Sequence, residues 1–301
     1  MTTGTLRWGI LGLGRVARNR MIPALGTAER CRLVAVASRD LEAARAVAET
    51  YGVPRAHGSY EALLADPEVD AVYVALPNSL HLPWTSAALS AGKHVLCEKP
   101  LGLTAAEVEL MAERAQTAGR RLQEGFMIFA HPQWRAVRAI LDAGRLGRLR
   151  AIHGHFSFDN PDPANIRNRA DLGGGALLDV GCYPVTVALR LLDRAPERAT
   201  ALIDRDPVLG IDRSVTGALD CGDVQVSFFC SIRAVYRQTF ELIGDAGRLV
   251  VELPFGPPPE RPCRLLLHDG GDVGLGVADT ITVPPCNQFA ATASAFAAGI
   301  L

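Results

Sequence analysis

The sequence has 301 residues, of which 49% are hydrophobic and 21% charged, so it has enough apolar material for a packed core and enough length for two domains. Its 31 lysine and arginine residues nearly balance 32 aspartate and glutamate residues, which excludes an overall electrostatic attraction to nucleic acid or an anionic membrane. No signal-peptide pattern opens the chain, and the longest apolar runs, such as residues 71–77, are too short to span a bilayer. These features predict a soluble, cytoplasmic protein with a small-molecule partner, no nucleic-acid partner and no membrane contact.

The seven cysteines are scattered through the sequence and include no C-x-x-C pair. An odd number of cysteines at this spacing is not typical of a disulfide framework or of a structural zinc site. We therefore predict reduced, mostly buried thiols and no metal site.

The first 125 residues alternate between strand and helix patterns. An apolar run at residues 6–11 predicts a strand, followed by glycines and by an amphipathic stretch that ends near Leu25. The alternation then predicts strands at residues 31–37, 71–76, 94–97 and 121–125, and helices at residues 40–51, 80–91 and 105–118. This β-α-β alternation indicates a mostly parallel, doubly wound sheet with helices on both faces, here over residues 1–124.

The pattern changes after about Phe126. It predicts helices at residues 132–141 and after the glycines 173–175, and strands at residues 199–203, 224–230 and 239–243. We therefore predict a second, α+β domain over residues 125–301, built on a largely antiparallel sheet. The proline-rich residues 254–262 predict a surface loop.

A glycine-rich turn separates the first predicted strand from the first helix. It has the G-x-G-x-x-A pattern and reads Gly12-Leu13-Gly14-Arg15-Val16-Ala17. Glycines let the backbone turn tightly and approach a pyrophosphate, which the N–H groups of the following helix stabilise. The pattern alone also occurs in ordinary tight turns, but here it lies inside a β-α-β unit. It predicts a Rossmann-type dinucleotide site, with residues 12–16 against the cofactor.

The end of the second predicted strand carries Ser38 and Arg39, where NAD-binding proteins usually have an acidic residue for the ribose 2′-hydroxyl. A guanidinium at this position can pair with a 2′-phosphate and stack on adenine, so the sequence favours NADP over NAD. Asp40 has two interpretations, as the cap of the next helix or as a competitor for the ribose. The alternative for Arg39 is a solvated surface charge.

Two of the 31 basic residues, Lys93 and Lys99, are lysines, so 29 are arginines. Arginine does not give up its proton near neutral pH, whereas a lysine ammonium can be tuned to do so. Lys99 follows a predicted strand in the motif Glu98-Lys99-Pro100, so we predict a chemical role for it, and we interpret Lys93 as a surface residue. Pro100 restricts Lys99 to extended backbone, and we hypothesise a cis Lys99–Pro100 bond.

A second candidate motif follows the glycines 173–175. Asp179 and Tyr183 are four residues apart there, and on a helix they share one face. A phenol and a carboxylate that meet a lysine form a proton relay, in which Tyr183 donates or accepts the hydroxyl proton and Lys99 favours the phenolate or orients the substrate oxygen. The alternative is a helix with one buried tyrosine and a capping aspartate. Pro184 cannot donate a hydrogen bond to the preceding turn, so we expect a kink.

The residues after the third predicted strand read Leu76-Pro77-Asn78-Ser79-Leu80-His81. They lie at the sheet edge where ligands bind in doubly wound folds. Asn78 is interpreted as a helix cap or as part of a nicotinamide pocket, and His81 as a satisfied helix residue or as part of the same pocket. The predicted cofactor site extends to six residues near these strand ends, namely Leu76, Pro77, Asn78, His81, Glu98 and Lys99.

These motifs in combination resemble the GFO/IDH/MocA family, named after glucose–fructose oxidoreductase, inositol dehydrogenase and a rhizopine-catabolism protein. The resemblance covers nearly the whole chain and rests on the segments 12–17, 69–78, 91–95, 98–100 and 173–183. It implies that Lys99 of the E-K-P motif is catalytic. It also implies that Asp179 and Tyr183 form the family's D-x-x-x-Y element.

With a tyrosine in that element, the sequence is similar to the dihydrodiol and D-xylose dehydrogenase branch. The sequence also resembles ketoreductases of nucleotide-linked deoxysugars, which share residues 126–127, 131–133 and 287–289, so the branch stays open. Family members usually have a further helix after the last amphipathic stretch, whereas this sequence ends at Leu301, so the C-terminal helix is expected to be short or missing. The family often uses the second-domain sheet as a subunit interface, which implies a homodimer or homotetramer.

The combined prediction is an NADP(H)-dependent oxidoreductase that moves hydride to or from a hydroxyl or keto carbon of a sugar or sugar-like substrate, such as an aldose or a dihydrodiol. Reduction of a nucleotide-linked deoxysugar is the alternative reaction. A non-catalytic NAD(P)-binding regulator is the alternative from another class. The presence of both Lys99 and Tyr183 weighs against the regulator, because a pure binder needs no proton relay.

Overall fold

The computed structural model describes residues 4–270 and 279–301, which divide into two compact units. The first unit consists of Met1–Ala130 and Asn287–Leu301, and the second consists of His131–Cys286. The sequence predicted a boundary after residue 124, with all later residues in one domain. The structure differs, because the C-terminal segment returns to the first unit.

The first unit is built on a six-stranded sheet. Its elements up to residue 125 are β1 (Leu6–Leu11), α1 (Ile22–Leu25), β2 (Cys31–Ala37), α2 (Leu41–Tyr51), β3 (Arg55–His57), α3 (Tyr60–Leu64), β4 (Ala71–Val74), α4 (His81–Ser90), β5 (His94–Glu98), α5 (Ala105–Ala118) and β6 (Leu122–Gly125). The strands are parallel in the order β3-β2-β1-β4-β5-β6. This order confirms the predicted Rossmann sheet. All four residues of β4 are buried, as expected for a central strand covered on both faces.

The second unit is built on an eight-stranded sheet. The remaining elements of the chain are α6 (Pro132–Asp142), β7 (Leu149–Asp159), α7 (Cys182–Leu192), β8 (Arg198–Arg205), β9 (Asp212–Cys221), β10 (Val224–Ser231), β11 (Arg233–Gly244), β12 (Gly247–Val251), β13 (Cys263–Asp269), β14 (Asp279–Val283) and α8 (Gln288–Ala298). The sheet order is β14-β13-β12-β11-β7-β10-β9-β8, and only the β7–β10 pair is parallel among these described strands. The predicted, largely antiparallel sheet is therefore confirmed.

One face of this second sheet is covered and the other is open. Along β9, Val215 and Leu219 are buried, whereas Thr216 and Ala218 between them are exposed. The α7 helix packs on β7 and β10 and buries Val187. Alternate burial of this kind is what period-two side-chain geometry gives when helices cover a single face.

The helical run Ala170–Leu192 is long and apolar enough to cross a membrane by length and composition alone, with a mean hydropathy of 1.4. The apolar runs considered in the sequence did not include it, because glycines and Asp179 interrupt its apolar residues. Core helices of soluble proteins pass the same test. Since Pro184, Val187 and Ala188 are buried in the second unit, we assign this run to the core.

The last helix, α8, completes the core of the first unit. Ala293, Phe296 and Ala297 are fully buried there, and the ring of Phe296 lies 5.2 Å from the ring of Trp8 on β1. Asn287 caps the helix by accepting hydrogen bonds from two backbone N–H groups. The C-terminal segment thus contributes apolar surface to the Rossmann unit.

Candidate active site

The glycine-rich turn after β1 has the geometry of a phosphate-binding turn. Gly12 has a φ of +90°, and a Cβ added there would lie 2.7 Å from the carbonyl oxygen of Ala75. Gly14 differs, because a Cβ added there would meet nothing within 4 Å. Helical backbone begins at Arg15, which is exposed. Gly12 is therefore required by the fold, whereas Gly14 keeps open the space in front of a helix N-terminus, where a pyrophosphate fits.

At the end of β2, Asp40 is used as a helix cap. Its Oδ1 accepts hydrogen bonds from the N–H groups of Glu42 at 2.9 Å and Ala43 at 3.3 Å, and its own N–H donates to the Ser38 hydroxyl. Arg39 is exposed. Because the carboxylate next to it is bonded to α2, the first of the two interpretations of Asp40 holds in this structure.

The segment after β4 contains a short 3-10 turn, Asn78–Leu80, and then α4, which begins at His81. His81 is fully buried, with Nδ1 2.7 Å from the carbonyl oxygen of Pro100 and Nε2 2.9 Å from that of Leu76. An imidazole donates to two carbonyls only when it is protonated, whereas burial lowers the pKa of His81. Both ring nitrogens thus face backbone carbonyls of the segments after β4 and β5, and the neutral ring donates to one of them, which matches the interpretation of His81 as a satisfied helix residue.

Lys99 leaves the end of β5 in a tight turn, which we call the lysine turn (Lys99–Leu101). The Lys99–Pro100 peptide bond is cis, as hypothesised from the sequence. Glu98 precedes the turn and accepts hydrogen bonds from the Tyr73 hydroxyl and, at 3.2 Å, from the N–H of Lys99. Strand and turn together thus fix where the Lys99 side chain begins.

The other lysine is not at the surface, so the interpretation of Lys93 was wrong. Lys93 is buried, and its ammonium donates to the carbonyl oxygens of Asp66 and Val69, both at 2.8 Å. Burial lowers the pKa of Lys93. No local pattern indicated this role, because the accepting carbonyls belong to a loop that precedes β4.

In the second unit, Asp179 forms an ion pair that the sequence did not predict. Arg167 donates from Nε to Asp179 Oδ2 at 2.6 Å, and both side chains are largely buried, at 23% and 12% exposure. The Arg167 guanidinium also lies over the ring of Phe158, 5.6 Å from its centroid. This charge-assisted bond orients the Asp179 carboxylate.

Tyr183 lies in an aromatic cluster. Its ring is 5.4 Å from that of Phe156 and 5.5 Å from that of Phe255. Phe255 belongs to the proline-rich stretch predicted as a surface loop, and it is buried, so that prediction was wrong for the start of the stretch. Two buried glutamines explain the burial: Gln238 accepts from the N–H of Phe255, and Gln133 donates to two carbonyls just before it.

The helix that carries Asp179 and Tyr183 begins with a π turn, Leu177–Gly181, and continues as α7. Pro184 lies in the first turn of α7, so the irregularity expected from its missing N–H is a π turn. Asp212 accepts from the N–H of Leu177 at 2.6 Å, and Gly175, with a φ of +119°, leaves room for that carboxylate. In the described ranges, no group of three His, Cys, Asp or Glu side chains could hold a metal ion.

A Rossmann sheet with an open phosphate turn, joined to a mixed sheet that carries an aspartate–tyrosine pair, defines a class of two-domain pyridine-nucleotide oxidoreductases. Residues 6–126 match the oxidoreductase family GFO/IDH/MocA with its NAD-binding Rossmann fold, and residues 134–250 match the GFO/IDH/MocA C-terminal domain. The chain therefore belongs to the GFO/IDH/MocA family, as its sequence motifs implied.

Relatives in this family act on sugars and related alcohols. The chain is 38% identical to D-xylose 1-dehydrogenase (NADP(+)) 2 of Haloferax volcanii, over 98% of this chain and 89% of the relative. It is 37% identical to dTDP-3,4-didehydro-2,6-dideoxy-alpha-D-glucose 3-reductase of Streptomyces violaceoruber, over 99% and 86%. Mouse trans-1,2-dihydrobenzene-1,2-diol dehydrogenase is 36% identical, over 84% and 76%.

Solved structures agree with this assignment. A 3-ketoreductase from Actinomadura kijaniata in complex with NADP and TDP-benzene superimposes with a TM-score of 0.92 at 32% identity. The match covers 99% of this chain and 90% of that chain. The fold is thus shared over nearly the full length of both proteins.

Proposed function

We propose that this protein is an NADP(H)-dependent oxidoreductase that transfers hydride to or from a hydroxyl or keto carbon of a sugar or sugar-like substrate. The observation that carries the proposal is the set of groups at the carboxyl ends of one parallel sheet: the open turn at Gly14 after β1, Arg39 after β2 and Lys99 after β5. Dinucleotides bind at this edge of doubly wound sheets. The first unit is then the cofactor domain, and the second unit provides the substrate site.

The residues at this edge fit NADP. Residues 12–16 supply the turn and helix N-terminus for the pyrophosphate, and Ser38 and Arg39 supply a hydroxyl and a guanidinium for a 2′-phosphate. Asp40, the acidic group that would favour the ribose hydroxyls of NAD, is engaged as a cap. Leu76, Pro77 and Asn78 follow β4 at the same edge and contribute to the nicotinamide side of the site. His81 contributes through the backbone.

The chemical roles divide between the cofactor and three side chains. When bound, NADP accepts or supplies the hydride. Tyr183 donates or accepts the proton of the substrate hydroxyl, and Lys99 orients that oxygen and favours the phenolate. Asp179, paired with Arg167, is the carboxylate of the proposed proton relay. Glu98 holds the backbone of the lysine and completes the wall of the cofactor site.

Two substrate classes are candidates. The first comprises aldoses and dihydrodiols, which the names of the Haloferax and mouse relatives specify. The second is a keto group of a nucleotide-linked deoxysugar, favoured by the Streptomyces relative and by the superposition on the Actinomadura ketoreductase. Both need the same hydride and proton transfers, so the two classes differ in what binds beyond the reacting carbon.

An absorbance screen at the NADPH band tests the proposal. Aldoses, trans-dihydrodiols and dTDP-keto-deoxysugars are offered with NADP(H) and, separately, with NAD(H), and we expect turnover with at least one class and a preference for NADP(H). Lys99→Met should lower kcat by about 100-fold to 10,000-fold and leave NADPH affinity close to wild type. Lys99→Arg keeps the positive charge but does not give up a proton near neutral pH, so it should also be poorly active.

A matched control for the phenol is available. Tyr183→Phe should lose turnover, whereas Tyr51→Phe, which changes an exposed tyrosine bonded to the carbonyl of Arg18, should not. Full turnover in either Lys99 variant would falsify the assignment of the lysine. Tight NADPH binding with no turnover of any substrate in the screen would favour the alternative of a non-catalytic regulator.

The open face of the second sheet is the proposed subunit interface. It includes a pocket of about 460 Å³ lined by β8, β9 and β10, with Arg198, Ala218 and Gln225 among its residues. A homodimer or homotetramer through this face, in the cytoplasm, completes the proposal. Light scattering after size-exclusion chromatography checks the assembly, and a monomeric mass at micromolar concentration would contradict it.

A further inference from the structure

The backbone of the lysine turn is held by a carboxylate from a neighbouring strand. Glu124, on β6, accepts a hydrogen bond from the N–H of Leu101 at 2.9 Å through Oε1. β6 pairs in parallel with β5, and Glu124 lies opposite Cys97, two residues before Lys99. A side chain at the end of one strand therefore fixes the turn that leaves the next.

Two further side chains hold the same turn. Glu98 accepts from the N–H of Lys99 at 3.2 Å, and the ring of His81 lies 2.7 Å from the carbonyl oxygen of Pro100. Each residue of the lysine turn thus has a backbone group bonded to a side chain that comes from outside the turn. Anchoring at three successive residues restricts the direction in which the Lys99 side chain leaves the backbone.

Glu124 occupies this position against a desolvation cost. Burial raises its pKa, and the Leu101 N–H and the positive charge of Lys99 act in the opposite direction. A carboxylate is stable away from water when hydrogen bonds or an opposite charge compensate it. Both compensating groups belong to the lysine turn. This combination is typical of a residue that shapes a site, because an apolar side chain would suffice for packing.

We propose that Glu124 is a positioning residue for Lys99. It acts through the backbone of Leu101 and does not contact substrate, and the inference rests on the proposed function, in which Lys99 orients the substrate oxygen. Rates fall steeply when a reacting group is displaced by even a fraction of its contact distance. Loss of the acceptor therefore lowers kcat more than it affects cofactor binding, since the glycine turn and Arg39 are unchanged.

The test compares Glu124→Leu, which removes the acceptor, with Glu124→Gln, which keeps an oxygen acceptor without the charge. In Glu124→Leu we expect kcat to fall about 10-fold to 100-fold with the KM for NADPH unchanged. Glu124→Gln should recover a substantial part of that loss. Hydrogen exchange of the protein without cofactor supplies a readout independent of turnover, and the Leu101 amide should exchange faster in Glu124→Leu. If that variant fails to fold, Glu124→Ala replaces it.

Glu107→Leu is the matched control. Glu107 accepts from the backbone N–H of Leu103 at 2.7 Å in the same segment, but outside the lysine turn. Glu107→Leu should speed hydrogen exchange at the Leu103 amide and leave kcat near wild type. Wild-type kcat or unchanged Leu101 exchange in folded Glu124→Leu would overturn the inference, as would an equal loss of kcat in Glu107→Leu. A different outcome separates the two proposals. If the Leu101 amide exchanges faster in Glu124→Leu but the wild-type protein turns over no substrate, the anchoring is supported and the proposed function is contradicted.

Discussion

Ser38, Arg39 and Asp40 are consecutive, but their side chains have different tasks. The Ser38 hydroxyl accepts from the backbone of Asp40, and Asp40 caps α2, so both are tied to the strand-to-helix connection. Arg39 is exposed and lies beside Tyr60, where its positive charge and a hydrogen bond oppose the rise that burial causes in the tyrosine pKa. Arg39 is therefore the residue of this connection whose replacement tests the proposed preference for NADP over NAD.

Arg39→Ala should weaken NADPH binding and leave NADH binding nearly unchanged. A charge-assisted contact to a phosphate contributes about 1.5–3 kcal/mol, so the preference for NADP over NAD should fall by about 10-fold to 100-fold. Steady-state kcat/KM with each cofactor measures it. Asp40→Asn is the control, because asparagine caps a helix as well as aspartate does. An equal loss with both cofactors would mean that Arg39 stabilises the fold and does not read the 2′-phosphate.

Single residues also show what the sequence could and could not predict. The position of Lys99, directly after a strand and before a proline, was predicted correctly because its motif is local. Lys93 was misassigned, since its partners are carbonyl groups more than 20 residues away. Arg167 and Glu124 were missed for the same reason: each acts on a group that only the folded chain brings near. The position of a residue within a local motif could be predicted from the sequence. The groups that its side chain contacts in the folded protein could not.

At the scale of elements, two helices next to predicted site residues contain a π turn near their start. The first has the π turn Ala17–Met21 before α1, which contains Pro23, and the second has the π turn Leu177–Gly181 before α7, which contains Pro184. A proline removes one N–H from the α-helical ladder, and a wider turn accommodates the missing donor. In both units the irregular turn immediately adjoins the predicted functional residues.

The two glycines of the phosphate turn should respond differently to alanine. Gly12→Ala places a Cβ against the Ala75 carbonyl at a φ of +90°, so it should destabilise the protein by about 1–3 kcal/mol. Gly14→Ala meets no protein atom within 4 Å and should unfold at nearly the wild-type temperature, but bind NADPH more weakly because the methyl group occupies the pyrophosphate space. Thermal unfolding and NADPH fluorescence titration separate the two effects. Wild-type NADPH affinity in Gly14→Ala would show that the open space is not the phosphate site.

Elements of the parallel sheet were easier to predict than those of the second sheet. Strands β1, β2, β4 and β5 are largely buried apolar runs, and the sequence located each of them as well as β6, whose residues are mostly half-buried. In the second unit the predicted strands fall within β8, β10 and β11, whereas β7, β9, β12, β13 and β14 were not identified. In half-exposed strands, apolar residues alternate with polar ones. The pairing of such strands depends on segments far away in the sequence, so composition alone identifies them poorly.

At the scale of the whole molecule, the chain returns to its first unit after completing the second. More than 150 residues separate β6 from α8, yet Phe296 and Ala293 lie in the same apolar cluster as Trp8 and Met21. The sequence assigned the C-terminal segment to the second domain because sequence order is the default guide to domain membership.

Phe296→Ala should therefore destabilise the cofactor unit. Removing a fully buried phenylalanine costs about 3–5 kcal/mol, and the cavity would lie beside Trp8 on β1. We expect a lower unfolding temperature, faster hydrogen exchange in β1 and weaker NADPH binding. Phe240→Ala is the matched control, because Phe240 is equally buried but belongs to the second unit, so it should accelerate exchange in β11 and leave β1 protected. If Phe296→Ala accelerates exchange in β11 and not in β1, the C-terminal helix stabilises the second unit, and the division of the chain proposed above is wrong.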